Sequence, residues 1–268
     1  MKRMMMAGWM VLAMVLALNA GAGVLILEDH FENGNVTNID SGAAFWTKTV
    51  SGGTATETGG RLLLQDKPKT NANVSATLYS PLMSDCNFFA TTLVYNAKFD
   101  LSMVNIASAD KSKMDFRFFI TDGVGQNLTQ SSNYFAITQF GTGNFSVRSR
   151  VDGASTPTTL TNITGTTLAQ ELTVRLDATS YYLDMIYAGG VTNSYTGAHG
   201  LSAGTWRTTG STLEMMAYGG TSTAASTNGT WTVGVSEVTV TSIPEPSTIG
   251  LFILSSLSVL GIRRMVVL

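Results

Sequence analysis

Alternation of apolar and polar residues is the feature that most limits how this chain can fold. The segment from Glu171 to Asp177 alternates strictly, and the segment from Met114 to Thr121 nearly so. Neighbouring side chains of a β-strand point to opposite faces of the sheet, so a two-residue period predicts strands with one buried face. No apolar stretch within residues 23–243 keeps the 3.6-residue period of an amphipathic helix for three turns. The pattern therefore predicts an all-β chain.

About thirteen such runs follow one another between clusters of Gly, Asn, Ser and Thr. The run from Tyr181 to Tyr187 is apolar on both faces, which predicts a central strand. Within residues 231–240 the apolar phase slips by one residue at Ser236 and Glu237, as a β-bulge would cause. The remaining, weaker runs are residues 25–27, 45–50, 61–65, 76–80, 88–99, 134–140, 145–151, 192–195 and 213–218. So many strands without intervening helices indicate two packed antiparallel sheets or a closed barrel.

The N-terminus does not follow this pattern. Residues 1–22 begin with Lys2 and Arg3, continue as an uncharged apolar stretch and end in small residues. This is the arrangement of a secretory signal peptide, with cleavage after Ala22 or, alternatively, after Ala20. The apolar stretch is about 15 residues long, short of the roughly 20 that span a bilayer. We therefore predict export and cleavage by signal peptidase, with an N-terminal membrane anchor as the alternative.

The C-terminus has three parts in a fixed order. They are the motif Pro244, Glu245 and Pro246, an uncharged apolar stretch, and the pair Arg263 and Arg264. A helix over residues 247–268 would be long enough to cross a membrane, and the arginine pair marks its cytoplasmic end. The arrangement closely resembles the PEP-CTERM sorting signal of Gram-negative bacteria, in which a Pro-Glu-Pro motif precedes a hydrophobic helix and a basic cluster. The resemblance implies processing by an exosortase, a membrane cysteine enzyme; an ordinary single-pass anchor is the alternative.

Residues 23–243, between these ends, are predicted to form a single β domain, with residues 244–268 as the sorting signal. Three segments resemble the concanavalin A-like (laminin G-like) jelly rolls. They are the acidic opening at 27–32, the hairpin at 172–187 and the closing strand at 234–240. The resemblance implies an antiparallel β-sandwich whose last strand pairs beside its first. Another β-sandwich and a β-helix are the alternatives.

Composition and spacing argue against several kinds of chemistry. The formal net charge of −2 gives no indication of a nucleic-acid partner. One cysteine, Cys86, excludes an intrachain disulfide and a cysteine-based zinc site, and we expect it to be a buried free thiol. The Glu-x-Asp-x-x-Glu pattern that places the two carboxyl groups of jelly-roll glycosidases is absent, and His30 and His199 are isolated. We therefore predict no catalytic residues and no enzymatic activity.

Acidic residues near the start of the domain are candidate ligands for a structural calcium ion. They are Glu28, Asp29, Glu32 and Asp40, with Asn33 and Asn35 between them. Calcium takes six to eight oxygen ligands in flexible geometry, and loops between strands supply them. Related sandwiches often bind structural calcium near the first and last strands. Turn formation at Asn33-Gly34 is the alternative.

Four aromatic residues in or beside loop-rich stretches are candidates for stacking on sugar rings. They are Trp46, Tyr195, Trp206 and Tyr218. The apolar C–H surface of a sugar matches the face of an aromatic ring, although each residue also suits a core or rim position.

The function predicted from the sequence depends mainly on the sorting signal. PEP-CTERM systems resemble exopolysaccharide export systems in their distribution. The resemblance implies a non-enzymatic protein of the cell surface or biofilm matrix of a Gram-negative bacterium, with a structural or glycan-binding role beside extracellular polysaccharide. A secreted glycan hydrolase or lyase, with carboxyl groups from distant strands, is the alternative.

Overall fold

The computed structural model describes residues 23–40, 46–66, 73–122, 133–151, 154, 156–206, 210–221 and 229–243. The predicted signal peptide and the sorting motif, with Pro244, Glu245, Pro246, Arg263 and Arg264, lie outside these ranges, so both stay predictions. No helix within the described ranges combines the length and the apolar character that a membrane span requires.

Strands account for 61% of the described residues and helix for 3%. The strands are β1 (Val24–Asp29), β2 (Thr47–Ser51), β3 (Thr54–Glu57), β4 (Leu62–Asp66), β5 (Val74–Tyr79), β6 (Thr92–Val104), β7 (Met114–Thr121), β8 (Tyr134–Phe140), β9 (Phe145–Arg150), β10 (Thr158–Ile163), β11 (Ala169–Leu176), β12 (Ser180–Tyr187), β13 (Thr192–Ala198), β14 (Thr212–Gly219) and β15 (Thr230–Ile243). A 3₁₀ helix at Ser108–Lys113 precedes β7.

These strands form two antiparallel sheets. The eight-stranded sheet has the order β13–β12–β11–β6–β15–β4–β3, and β1 also pairs with β15. The seven-stranded sheet has the order β10–β9–β8–β7–β14–β5–β2. The predicted antiparallel β-sandwich is confirmed, as is the pairing of the last strand beside the first.

Strand β15 organises the eight-stranded sheet. It pairs with β6 along its whole length, while β4 occupies the first half of its other side and β1 the second half. The register with β6 shifts between Val235 and Glu237, where the sequence predicts a bulge. The shift explains why Val235 and Val238 are both buried despite their odd spacing.

The hydrophobic core lies between the two sheets. Phe99 of β6 contacts Phe116 of β7 with ring centroids 4.8 Å apart, which brings the inner faces of the sheets together. Trp231 of β15 is fully buried, and its Nε1 donates a hydrogen bond of 3.2 Å to the carbonyl oxygen of Asp115 in the opposite sheet. The buried tryptophan thus satisfies its only polar atom while filling the core.

The strand from Tyr181 to Tyr187 is not central, contrary to the sequence prediction. It forms β12, which lies second from the edge of the eight-stranded sheet. Tyr182 and Asp184 point to solvent on its outer face. The centre of the Tyr182 ring lies 3.8 Å from the guanidinium carbon of Arg175. The outward aromatic residue of this strand therefore packs on a charged side chain and not in a second hydrophobic core.

Two strands, β3 and β10, are absent from the sequence prediction. Both are rich in Thr and have few buried side chains, so they lack the apolar alternation by which a strand is detected. The predicted strand at 88–99 begins later, at Thr92. The carbonyl oxygen of Asn87 accepts hydrogen bonds from the backbone N–H groups of Ala90 and Thr91, which fixes a turn there.

The β8–β9 turn depends on a glycine, and we expect Gly143→Ala to destabilise the protein strongly. Gly143 has a φ of 92°, and a Cβ there would lie 2.6 Å from the carbonyl carbon of Thr166. Gly189 is the matched control, because its φ of 84° carries the same left-handed strain with nothing within 4 Å of the added Cβ. Urea unfolding should show that Gly143→Ala lowers the free energy of unfolding by about 2 kcal/mol more than Gly189→Ala does. Equal losses would contradict the close packing at Gly143.

Candidate functional site

The outer face of the seven-stranded sheet, the side away from the core, carries many buried polar and aromatic side chains. Directly opposite residues of an antiparallel pair share a face, so the strand register identifies its members. One row across the sheet consists of Tyr79, Glu214, Phe119, Ala136 and Arg148. The next rows contain Met216, Arg117, Thr138 and Ser146, then Tyr218, Asp115 and Phe140, and on the other side Thr121, Tyr134 and Arg150. These residues are called the outer face below.

Glu214 lies near the middle of the outer face. Its side chain is 2% exposed, and its Oε1 has no hydrogen-bond partner. Burial raises the pKa of this carboxyl to about 8, against the opposing influence of the Arg117 charge. Glu214 is therefore mainly protonated and neutral at pH 7.

Arg117 connects two other members of the outer face. Its Nε and Nη2 donate hydrogen bonds of 2.6 and 3.0 Å to the two carboxylate oxygens of Asp115. Its guanidinium carbon lies 3.9 Å from the centre of the Tyr218 ring. Burial raises the pKa of Asp115, while the charge of Arg117 acts in the opposite direction. The bidentate pair and the stacked ring hold Arg117 in place.

Two further arginines lie on β9. Arg148 is half-buried, and its Nε is buried without a hydrogen-bond partner, as is the Oγ of Ser146. Arg150 donates from Nε and Nη2 to the carbonyl oxygen of Ala154, at 3.1 and 2.6 Å. Burial raises the pKa of Tyr134, although the charges of Arg150, Arg148 and Arg117 all act to lower it. The three guanidinium groups therefore lie within electrostatic range of one phenol.

A small pocket adjoins the outer face at the β8–β9 turn. Phe140, Thr142, Asn144 and Asn162 contribute to its lining. It combines the face or edge of a phenyl ring with amide and hydroxyl groups, which are suitable contacts for a polar ligand with an apolar surface.

Three of the four candidate calcium ligands, Glu28, Asp29 and Asp40, form hydrogen bonds with other groups of the protein. Asp29 is fully buried, and its Oδ1 accepts from the backbone N–H of Phe31 at 2.9 Å while its Oδ2 accepts from Trp46 Nε1 at 2.6 Å. Burial raises the pKa of Asp29 to about 6. Asp40 accepts a hydrogen bond from the backbone N–H of His30 at 2.8 Å, and Glu28 lies 3.2 Å from the ring of that histidine.

Glu57 joins this group, although no sequence pattern connects it with the acidic residues at 28–40. Its Oε1 accepts a 2.6 Å hydrogen bond from the backbone N–H of Gly34, and its charge contributes to the raised pKa of Asp29. Glu32 is exposed. Within the described ranges, no group of three or more His, Cys, Asp or Glu side chains is arranged to hold a metal ion. A calcium site at Glu28, Asp29, Glu32 and Asp40 stays a prediction.

The structure corrects two of the four aromatic candidates. Trp46 and Trp206 are 2% and 7% exposed and belong to the hydrophobic core, so neither presents a ring face to a ligand. Tyr195 packs edge-on against Phe145, with ring centroids 5.1 Å apart. Tyr218 belongs to the outer face, where its ring lies against Arg117.

Cys86 and His199 have structural environments. Cys86 is a buried free thiol, as predicted, and burial raises its pKa to about 12. His199 is fully buried, and its Nδ1 accepts a hydrogen bond from the backbone N–H of Leu201 at 3.0 Å. Its Nε2 lies 3.1 Å from the carbonyl oxygen of Asp177 and therefore carries the proton. Burial lowers the pKa of His199, and an Nδ1 that accepts a hydrogen bond belongs to a neutral imidazole.

No protein-family model matches the sequence, and no curated protein sequence matches it either. Several solved structures share the fold. The chain is similar to an endo-1,3-β-glucanase from Streptomyces sioyaensis, with a TM-score of 0.57, 16% identity and coverage of 83% of this chain and 97% of that one.

Two further structures extend the comparison. A winged bean acidic lectin complexed with methyl-α-D-galactose gives a TM-score of 0.54 at 10% identity, covering 84% of this chain and 99% of the lectin. An immunostimulatory antigen and pseudo β-1,3-glucanase of Mycobacterium tuberculosis gives 0.54 at 12% identity, covering 82% and 99%. These likenesses show that the chain shares the β-sandwich fold of these three proteins.

Proposed function

We propose that this chain is a non-enzymatic, glycan-binding protein of the cell envelope, and that the outer face of the seven-stranded sheet binds the glycan. The observation that carries the proposal is a group of unpartnered polar atoms on this face, three of the seven such buried side-chain atoms in the described part of the chain. Glu214 Oε1, Arg148 Nε and Ser146 Oγ are all buried and lack hydrogen-bond partners. Buried polar groups are almost always satisfied, so a cluster of exceptions indicates partners that come from outside the chain.

The chemistry of the outer face suits a carbohydrate. Tyr218 and Phe140 are half-buried aromatic residues of one row, and Arg117, Thr138 and Ser146 supply polar groups in the neighbouring row. Sugars offer hydroxyl groups to such polar atoms and C–H surfaces to aromatic rings. The lectin and glucanase structures that share the fold are consistent with a glycan ligand.

The spacing of carboxyl groups favours binding over hydrolysis. The described part of the outer face has two, Asp115 and Glu214, which lie on adjacent strands and four register positions apart. At about 3.3 Å per residue and 4.8 Å between strands, their Cα atoms are roughly 14 Å apart. Glycosidases place their two carboxyl groups about 5 to 9.5 Å apart, a spacing that these two side chains would reach only by leaning toward each other. Asp115 is also paired with Arg117, which leaves it poorly suited to act as a nucleophile or base.

The cellular role proposed here rests on the two ends of the sequence. Residues 1–22 are a signal peptide, and residues 244–268 are a PEP-CTERM signal recognised by an exosortase. Together they place the sandwich at the cell surface or in the extracellular matrix, beside exopolysaccharide. Intact-mass measurement of the protein recovered from its native host tests this. Loss of residues 1–22 is expected, and full-length protein in the cytoplasm would contradict it.

Binding to a glycan array, combined with a reducing-sugar release assay, tests the proposed function of the full-length chain. We expect binding without release of product. Tyr218→Ala should weaken binding by about ten-fold or more, because it removes both a ring face and the support of Arg117. Tyr182→Ala is the matched control, since Tyr182 stacks on Arg175 in the same way on the other sheet. This variant should bind the glycan as tightly as the native protein does.

Product release with turnover would show a hydrolase instead. Absence of binding to every glycan would contradict the glycan-binding role. Equal binding by the two tyrosine variants would contradict the outer face as the binding surface.

A further inference from the structure

Positive charge is concentrated on the outer face, although the whole chain has a formal net charge of −2. Three of the five arginines in the described ranges, Arg117, Arg148 and Arg150, belong to this face. They oppose two carboxyl groups. One of these, Asp115, is already paired with Arg117.

Arg148 is the group with unused capacity for a ligand. Arg117 is held by Asp115 and Tyr218, and Arg150 donates twice to the carbonyl oxygen of Ala154. The Nε of Arg148 is buried and has no partner, while the side chain as a whole remains partly exposed. A buried guanidinium N–H without an acceptor is costly, and a carboxylate or sulfate is the acceptor that fits its planar donor geometry best.

We infer that the glycan bound at the outer face is acidic, and that Arg148 donates to its carboxylate or sulfate groups. This inference rests on the proposed function. Arg150 adds a second positive charge one register row away on the same strand, and Ser146 adds a hydroxyl on the other side. The residues directly opposite Arg148 are the small Ala136 on β8 and Thr159 on β10, neither of which carries a charge. A linear polymer with repeated acidic groups can therefore contact Arg148 while the buried charge of Arg150 attracts it from nearby.

Titration with matched polymers tests the inference on the full-length chain. The probes are polygalacturonate, the same polymer with its carboxyl groups reduced to alcohols, dextran sulfate and polyglutamate. We expect polygalacturonate or dextran sulfate to bind, with an affinity that falls as salt is raised, and the reduced polymer to bind at least ten-fold more weakly. The carboxylate and sulfate polymers together distinguish the two possible acidic groups.

Arg148→Gln should weaken binding of the acidic polymer about ten- to a hundred-fold. Arg175→Gln is the matched control, because Arg175 lies on the outward side of the other sheet. This variant should bind the acidic polymer as tightly as the native protein does. Arg148→Lys keeps the charge without the planar donors and should retain part of the binding, which separates loss of the contact from loss of the fold.

The possible failures are distinguishable. Equal binding of the native and reduced polymers would overturn the inference and leave the glycan-binding role intact. Equal binding of polyglutamate would show nonspecific attraction to polyanions and overturn it as well. Equal effects of Arg148→Gln and Arg175→Gln would remove Arg148 from the site. Failure of every glycan to bind would overturn the proposed function itself.

Discussion

Replacing Glu214 by Gln should stabilise the protein at alkaline pH while leaving it nearly unchanged at pH 5. The carboxyl of Glu214 has its pKa raised from 4.5 to about 8 by burial. Between these values the folded state binds a proton that the unfolded state has released, so the stability of the native protein falls as pH rises. The contribution of this proton is fully present below pH 4.5 and is lost once the pH passes 8. Gln has no titratable proton, so the Glu214→Gln variant does not lose this contribution to its stability as the pH rises.

At pH 9 we expect the free energy of unfolding of Glu214→Gln to exceed that of the native protein by about 2 to 4 kcal/mol. This is somewhat below the roughly 5 kcal/mol that corresponds to the full rise in the pKa of Glu214. Urea unfolding of both proteins at pH 5, 7 and 9 measures it. Glu32→Gln is the control, because Glu32 is exposed and should shift stability by less than about 0.5 kcal/mol at every pH. Parallel pH profiles for the native protein and Glu214→Gln would contradict a buried, protonated Glu214. Asp66, whose pKa burial raises to about 7, should leave a residual slope in the variant.

Asp29→Ala should destabilise the protein by about 2 to 4 kcal/mol. The substitution leaves the indole N–H of Trp46 and the backbone N–H of Phe31 without the acceptors that they have in the core. Phe31 also has a φ of 54°, a left-handed conformation that is unfavourable for a bulky residue, and its hydrogen bond to Asp29 helps to hold it there. Urea unfolding at pH 7 measures the loss.

Asp29→Asn keeps an acceptor oxygen, so it should lower the free energy of unfolding by less than Asp29→Ala does. Glu32 is exposed, and Glu32→Ala should lower the free energy of unfolding by less than about 0.5 kcal/mol. Losses of the same size for Asp29→Ala and Glu32→Ala would contradict a structural role for the carboxyl. Repeating the melts with calcium and with a chelator tests the predicted calcium site. A calcium-dependent rise in melting temperature in the native protein, absent from Asp29→Ala, would confirm that site. No response to calcium would contradict it.

The sequence predicts those parts of the fold that depend on local pattern. The hairpin of β11 and β12 and the bulge after Val235 both follow from the positions of apolar residues along a single strand. The Thr-rich strands β3 and β10 give no such signal, because few of their side chains are buried and their residues do not alternate between apolar and polar.

The candidate site illustrates the same limit. The alternation in β7 shows that Asp115 and Arg117 lie opposite the core residues of that strand. It does not show that β14 pairs beside β7 and brings Tyr218 to Asp115 and Glu214 to Phe119. It also does not show that these positions are buried, since burial depends on what covers the sheet. The charged groups of the outer face were therefore visible individually in the sequence, but their association was not.

The position of β15 has a consequence for when the domain can form during synthesis. This strand is the last one described, yet β6, β4 and β1 all pair with it directly. A ribosome produces those three strands long before Thr230–Ile243 leaves its exit tunnel. Until then they lack their common neighbour, and the eight-stranded sheet cannot assemble. The eight-stranded sheet is thus completed only after Thr230–Ile243 has been made, and any shorter nascent chain lacks the neighbour that β1, β4 and β6 share.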